Sequence, residues 1–252
     1  MNTNPLAGRK VLLTGGTQGI GLQTLKLLLD KQCRVVVLAR NTAAVADLQA
    51  QYPEHLTAIA TDITQLDSVC QALSNIAAFD SVILNAGTCE YIEASQFDAA
   101  SFARVINVNL QGNANILEVV IPKLLKSEKR PHIVGISSLV TELPLPRSEA
   151  YGASKAGFAY MLNSLRADLY RFGVDVTLIQ PGFVKTPLTD RNDFSMPFLM
   201  EPEVAAQHVL KAIEQRKYNY RFPWQLALSM RLIARLPLPL QVKFLQKMVP
   251  KE

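Results

Sequence analysis

Apolar positions along the chain follow two rhythms that alternate. Lys10–Thr14 (KVLLT) is a short apolar run that stops at glycines, as a strand buried on both faces does. Over residues 19–31 the apolar side chains Ile20, Leu22, Leu25, Leu28 and Leu29 fall at helical spacing. The same reading predicts strands at 35–39, 55–60, 81–85, 132–137, 174–180 and 218–222. It predicts helices at about 42–50, capped by Asn41 or Thr42, and at 63–77, 97–126, 149–172 and 201–215. In the long 97–126 helix, Pro122 falls where it would kink the last turns. Right-handed crossovers then impose one α/β doubly wound parallel sheet of about seven strands, with helices on both faces.

No repeat, low-complexity tract or linker divides the chain, so residues 1–222 read as a single domain and 223–252 as a helical tail. The 252 residues are 49% hydrophobic and 19% charged, enough for a large core. Cys33, Cys70 and Cys89 form no CxxC pair and read as reduced thiols of a cytoplasmic protein. His55, His132 and His208 show no metal-ligand spacing, so no metal is expected. The start lacks the pattern of a signal peptide, and no apolar run is long enough for a membrane span. From Lys211 onward there are nine Lys and Arg against two Asp and Glu, whereas the first 210 residues hold 17 against 19. The net charge of +5 therefore belongs to the tail and does not argue for nucleic-acid binding by the main domain.

Thr14-Gly-Gly-Thr-Gln-Gly-Ile-Gly21 lies between the first strand and first helix. Gly15 permits a tight turn, Gly19 lets backbone approach a pyrophosphate, and Gly21 allows close packing. The free N–H groups and positive end of the helix favour the diphosphate.

This G-x-x-x-G-x-G spacing, with the motifs after it, resembles the short-chain dehydrogenase/reductase family over about residues 8–190. Asp62 matches the family's adenine-side aspartate. Asn85-Ala86-Gly87 matches its N-A-G signature. Asn109 matches its helix-borne asparagine, and Ser138 and Tyr151-Gly-Ala-Ser-Lys155 match its serine and Y-x-x-x-K motif. Pro181-Gly182 and Thr186 match P-G-x-V-x-T. The resemblance implies a Rossmann-type fold, a nicotinamide cofactor, a small-molecule carbonyl or alcohol substrate, and a homodimer or homotetramer. It places Gly15, Thr17, Gln18, Gly19, Ile20, Gly21, Arg40, Asn41, Asp62, Ile63, Asn85, Ala86, Gly87, Tyr151, Lys155, Pro181, Gly182, Val184 and Thr186 around the cofactor. It also gives Lys155 the nicotinamide ribose hydroxyls and makes Asn109 the anchor of a water chain.

The chemistry of these side chains fits. Tyr151 and Lys155 share one helix face, and an ammonium beside a phenol favours the phenolate, which suits general acid–base work. Ser138 can hydrogen-bond the substrate oxygen as charge develops there. The second predicted strand ends Leu38-Ala39-Arg40-Asn41, with a cation where NAD users carry a carboxylate, so NADP(H) is expected. Gln18 stands where many NADP-preferring relatives are basic. The alternatives are an epimerase, against which the lack of an extended sugar-binding domain argues, and a non-catalytic NADP-binding regulator or scaffold, for which four intact catalytic side chains are superfluous.

Residues 183–201 match the family's mobile substrate flap. Phe194, Met196, Phe198, Leu199 and Met200 are expected to line the site, with Cys89, Tyr91 and the 143–146 segment as other walls, which points to a lipophilic substrate. The tail departs from the family's usual glycine-paired last strand. It shows two helical patterns split by Leu236-Pro-Leu-Pro239, with Lys243, Lys247 and Lys251 on one face. Its apolar side either packs on the cleft, the sheet edge or a second subunit, or lies on an anionic membrane surface as a peripheral contact.

Overall fold

The computed structural model describes residues 4–190, 192 and 194–249. Strands β1 (Lys10–Thr14), β2 (Arg34–Ala39), β3 (Leu56–Ala60), β4 (Ser81–Leu84), β5 (His132–Ile136), β6 (Asp175–Pro181) and β7 (Asn219–Phe222) form one sheet in the order β3-β2-β1-β4-β5-β6-β7. Every pairing is parallel, and each strand ends within one residue of its predicted limits. The order reverses between β1 and β4, and in open α/β sheets ligands bind at such a switch point, outside the strands' carboxyl ends.

Period-two alternation sends neighbouring strand residues to opposite cores. Val11 and Leu13 of β1 pack with α1 (Gly19–Asp30) and with Val209 and Ile213 of α7 (Pro202–Glu214). Leu12 between them packs with α3 (Leu66–Leu73), α5 (Gly112–Leu124) and α6 (Glu149–Leu169) on the other face.

Helix boundaries moved where side chains compete for backbone groups. The predicted 63–77 helix shrinks to α3 because Asp62 Oδ1 accepts from Thr64 N and Oγ1 at 3.0 and 2.8 Å, a turn that precedes extended Gln65. Asn41 does cap, accepting from Ala43 N at 2.9 Å, but the element it starts is a 3₁₀ turn leading into the short α2 (Ala46–Gln51). The predicted 97–126 helix is α4 (Ala99–Ile106), a π-helical turn at Asn107–Gln111, and α5, which contains Pro122 in its last turn.

The tail forms α8 (Trp224–Ile233) and α9 (Leu238–Leu245). The break is therefore earlier than the Leu-Pro-Leu-Pro segment suggested, because a proline fits the first turn of a helix and Pro239 sits there. Leu226, Ala227 and Met230 of α8 are buried against Leu139 and Leu143, so part of the tail packs on the main domain.

Candidate active site

The carboxyl ends of β1 to β6 and the helices that follow them carry the sequence-predicted residues at one edge of the sheet. Gly15 turns the chain with φ +67° just after β1, and its N–H donates to Leu38 O of β2 at 2.9 Å. Asn85, after β4, ties the same turn down: its Nδ2 donates to Gly15 O at 2.9 Å and Thr14 O at 3.2 Å. Thr14 Oγ1 in turn accepts from the N–H groups of Asn85 and Ala86, both at 3.0 Å. Gly21 is needed for closeness: a Cβ there would lie 2.1 Å from Gly15 O and 2.5 Å from Asn85 Nδ2. The crowding comes from the turn's own carbonyl and the Asn85 amide, rather than from the general helix–strand packing the motif suggested.

Gln18, exposed and extended at φ −156°, makes no side-chain cap on α1, and no acidic residue stands in its first turn. The first-turn N–H groups are thus left without a capping side chain, a setting that favours an anion. Thr186 closes over this turn, its methyl 2.9 Å from where a Gly19 Cβ would sit. Half-buried Thr17 lies on the turn, and Arg40 and Asp62 are exposed just beyond β2 and β3. These features fit a dinucleotide phosphate cradle.

Other residues expected around the cofactor have side chains that are already engaged within the protein. Ile63 and Val184 are buried core residues, Ile20 packs against the core, and Pro181 is buried at the end of β6. Apolar side chains at these positions serve packing. Asn41 is occupied by its Ala43 N–H bond, and the Asn85 amide holds the glycine turn.

Asn109 sits in the π turn and is fully buried. Its Oδ1 accepts from Thr88 N at 2.7 Å, and its Nδ2 donates to Thr88 O at 2.8 Å and Ser154 Oγ at 2.9 Å. Ser154 Oγ donates to Tyr151 O at 2.7 Å. Ser154 therefore couples Asn109 to the helix turn that carries Tyr151, a positioning role the sequence reading missed. Its only signal there was a small polar residue inside Y-x-x-x-K. Gly87 marks where the two motifs meet: a Cβ there would lie 3.2 Å from Asn109 Oδ1 and 3.4 Å from Lys155 Nζ.

Ser138 lies beside the Tyr151 hydroxyl, where its side chain favours the phenolate, and its Oγ accepts from Val140 N at 3.2 Å. Lys155 Nζ donates to Ile136 O at 2.9 Å and lies 5.8 Å from the Tyr151 ring centroid. Among the protein's own groups, the expected lowering of the Tyr151 pKa is reversed: burial raises it, Cys89 adds to the rise, and Ser138 pulls it back. The hydroxyl therefore keeps its proton. Burial also lowers Lys155 to about 8, against a smaller opposing pull from Cys89.

An unfolded lysine titrates at about 10.4, so between pH 8 and 10 the unfolded chain binds more protons than the folded one. Stability contributed at this site accordingly rises with pH, the unfolding constant falling about tenfold per pH unit. Tyr151 is raised above its unfolded value of about 10, so it opposes this rise only at the upper end of the window. Denaturant titrations from pH 7 to 10 are expected to show this rise in the wild type and a flatter profile in Lys155→Met. Parallel profiles reject the shift.

The tyrosine faces a cleft lined by Cys89, Tyr91, Ser138, Leu139, Val140, Leu145, Pro146, Phe183, Leu188, Phe194, Leu226 and Met230 among others. Its apolar lining with a few polar groups suits a small-molecule site. Cys89, Tyr91, Leu145 and Pro146 line it as expected, while Leu143 turns into the core beneath. Of the five flap residues expected to line it, Phe194 does so, while Met196 is not among the lining residues and accepts from Asn192 Nδ2 at 3.1 Å. Phe198 and Leu199 are exposed, and Met200 pairs with Val184 beside the core. Leu226 and Met230 of α8, absent from the expected walls, complete the cleft.

The short chain dehydrogenase family profile matches residues 9–195. An uncharacterized oxidoreductase of Myxococcus xanthus is 36% identical over 242 residues, spanning 92% of this chain and 94% of that protein. A short chain dehydrogenase of Burkholderia cenocepacia, solved in complex with NADP, superposes with a TM-score of 0.84 at 23% identity, over 97% of this chain and 99% of that one. A 3-ketoacyl-(acyl-carrier-protein) reductase of Brucella melitensis, solved with NADH, gives 0.78 at 21% identity, over 86% and 97%. With the glycine turn, the Tyr151–Lys155 pair and this match in agreement, the chain belongs to the short-chain dehydrogenase family and is an oxidoreductase.

Proposed function

We propose that this oxidoreductase uses NADP(H) to interconvert a lipophilic ketone or aldehyde and its alcohol, with Tyr151 as the proton-transferring group. The observation that carries this reading is that Tyr151 and Ser138 together line a largely apolar cleft at the carboxyl edge of the sheet. Bound nicotinamide supplies or accepts the hydride at the carbonyl carbon. Tyr151, kept protonated by burial, donates its proton to the oxygen as negative charge develops there, and the product leaves as the alcohol. Ser138 orients that oxygen by a second hydrogen bond. Lys155, buried behind the ring and anchored to Ile136 O, would hold the cofactor ribose, and its ammonium would stabilise the Tyr151 phenolate left by proton transfer until a proton from solvent replaces the one given up. Asn109 and Ser154 keep this helix turn in register.

The glycine turn and uncapped start of α1 would cradle the pyrophosphate, with Thr186 closing over it. Arg40 would pair with a 2′-phosphate, since it is exposed beyond β2 and no carboxylate replaces it there. The test is NADPH and NADH oxidation against a panel of ketones, aldehydes, 3-oxoacyl thioesters and steroids. Arg40→Asp is expected to lower the NADPH-over-NADH preference by about 10- to 100-fold, the weight of one charge-assisted bond. An unchanged preference rejects the role of Arg40, and no turnover with any carbonyl rejects the reductase reading.

A further inference from the structure

More than half of the large apolar side chains exposed among the described residues lie in one short stretch, from Trp224 to Val249. Trp224, Leu228 and Leu232 recur every four residues along α8, on the side away from buried Leu226, Ala227 and Met230. Leu238, Leu240, Val242 and Phe244 continue the exposed surface along α9, followed by Met248. The platform beneath is fixed. Leu245 packs against the α8 cluster, and Gln241 Nε2 donates to Ala234 O and Leu236 O at 3.0 and 2.7 Å across the corner between the helices.

The charge on this surface has one sign. Residues 224–249 contain Arg231, Arg235, Lys243 and Lys247 and no Asp or Glu. Arg231 leans on Glu142, 3.6 Å away, while Arg235, Lys243 and Lys247 make no ion pair among the described residues. Lys251, expected on the same face, lies outside the described residues. A second copy of the chain is a poor occupant. Two-fold pairing sets a face against itself, so these cations would meet cations with no carboxylate between them. An anionic lipid surface accepts both features at once, with apolar side chains entering the acyl boundary and cations meeting the headgroups.

We propose that the outer faces of α8 and α9 dock this protein on an anionic lipid surface. The inner face of α8 lines the cleft through Leu226 and Met230, so docking brings a wall of the site to the bilayer, a short path for a lipid-dissolved substrate. That last consequence rests on the reductase reading; the docking does not.

Co-sedimentation of the full chain with phosphatidylcholine vesicles, with and without phosphatidylglycerol, tests the docking without turnover. Binding is expected only with the anionic lipid. Lys243→Gln with Lys247→Gln, at exposed positions whose loss removes no apolar packing, is expected to weaken partition about 30-fold, from about fivefold per cation. Leu240→Ser with Phe244→Ser is expected to abolish it while the melting temperature holds. No binding to anionic vesicles, or equal binding to neutral ones, overturns the proposal and leaves the reductase reading standing. A self-association that the Leu240→Ser, Phe244→Ser variant disrupts, with no vesicle binding, assigns the face to a second copy and also overturns it.

Discussion

Replacing Tyr151 with phenylalanine is expected to lower carbonyl reduction by about 10²- to 10⁴-fold, the range of a lost general acid. The substitution removes one hydroxyl and keeps the ring. The neighbouring Ser138 is half-buried at the cleft and retains its bond from Val140 N. The melting temperature should therefore change little, which separates a chemical loss from a folding one. The ratio of wild-type to variant kcat, measured with the best substrate of the panel, decides. A ratio near one would remove Tyr151 from the reaction. Lys155 acts through a different property, its charge, so the pH dependence of stability tests it independently of turnover.

Gly21→Ala is expected to be the most damaging single-methyl change in the glycine turn. The added carbon would overlap Gly15 O, 2.1 Å away, and press on Asn85 Nδ2 at 2.5 Å. The backbone carbonyl cannot rotate aside as a side chain does, so the turn itself must open. Overpacking of this kind costs about 3 kcal/mol at the upper end of its usual range. For a chain of this length that lowers Tm by roughly 6–12 °C. Dinucleotide affinity should fall with it, because the same shift moves the first N–H groups of α1. Gly152→Ala is the contrast: its Cβ would meet nothing nearer than Ser148 Oγ at 3.6 Å, inside helix α6. It should be neutral or stabilise by about 0.5–1 kcal/mol. Thermal melts of the two variants side by side give the comparison, and equal Tm values would refute the close-approach argument.

The strands were legible because parallel strands buried on both faces are near-continuous apolar runs bounded by polar residues and glycine. Helix ends were less so. The early stop before α3 depends on Asp62 turning back on Thr64, a local bond that competes with the helix without changing the apolar spacing. The π turn at Asn107–Gln111 was invisible for a related reason: a one-residue bulge leaves the hydrophobic pattern of a long helix almost unchanged. Yet it is the turn that carries buried Asn109.

By itself, the sequence determined the order of strands and helices, the parallel sheet, the glycine turn, and the pairing of Tyr151 with Lys155. These follow from short-range spacing: period two, period 3.6, and four residues along a helix. Only the tertiary structure decided what surrounds the tyrosine. It brought Ser138 from the end of β5 and Leu226 and Met230 from the tail to one cleft, and tied buried Asn109 to the helix turn behind it through Ser154. It also reversed the expected direction of the tyrosine's acidity. Burial and electrostatics act through space, and the distance in space between two residues far apart in sequence is set by packing, which no local spacing encodes.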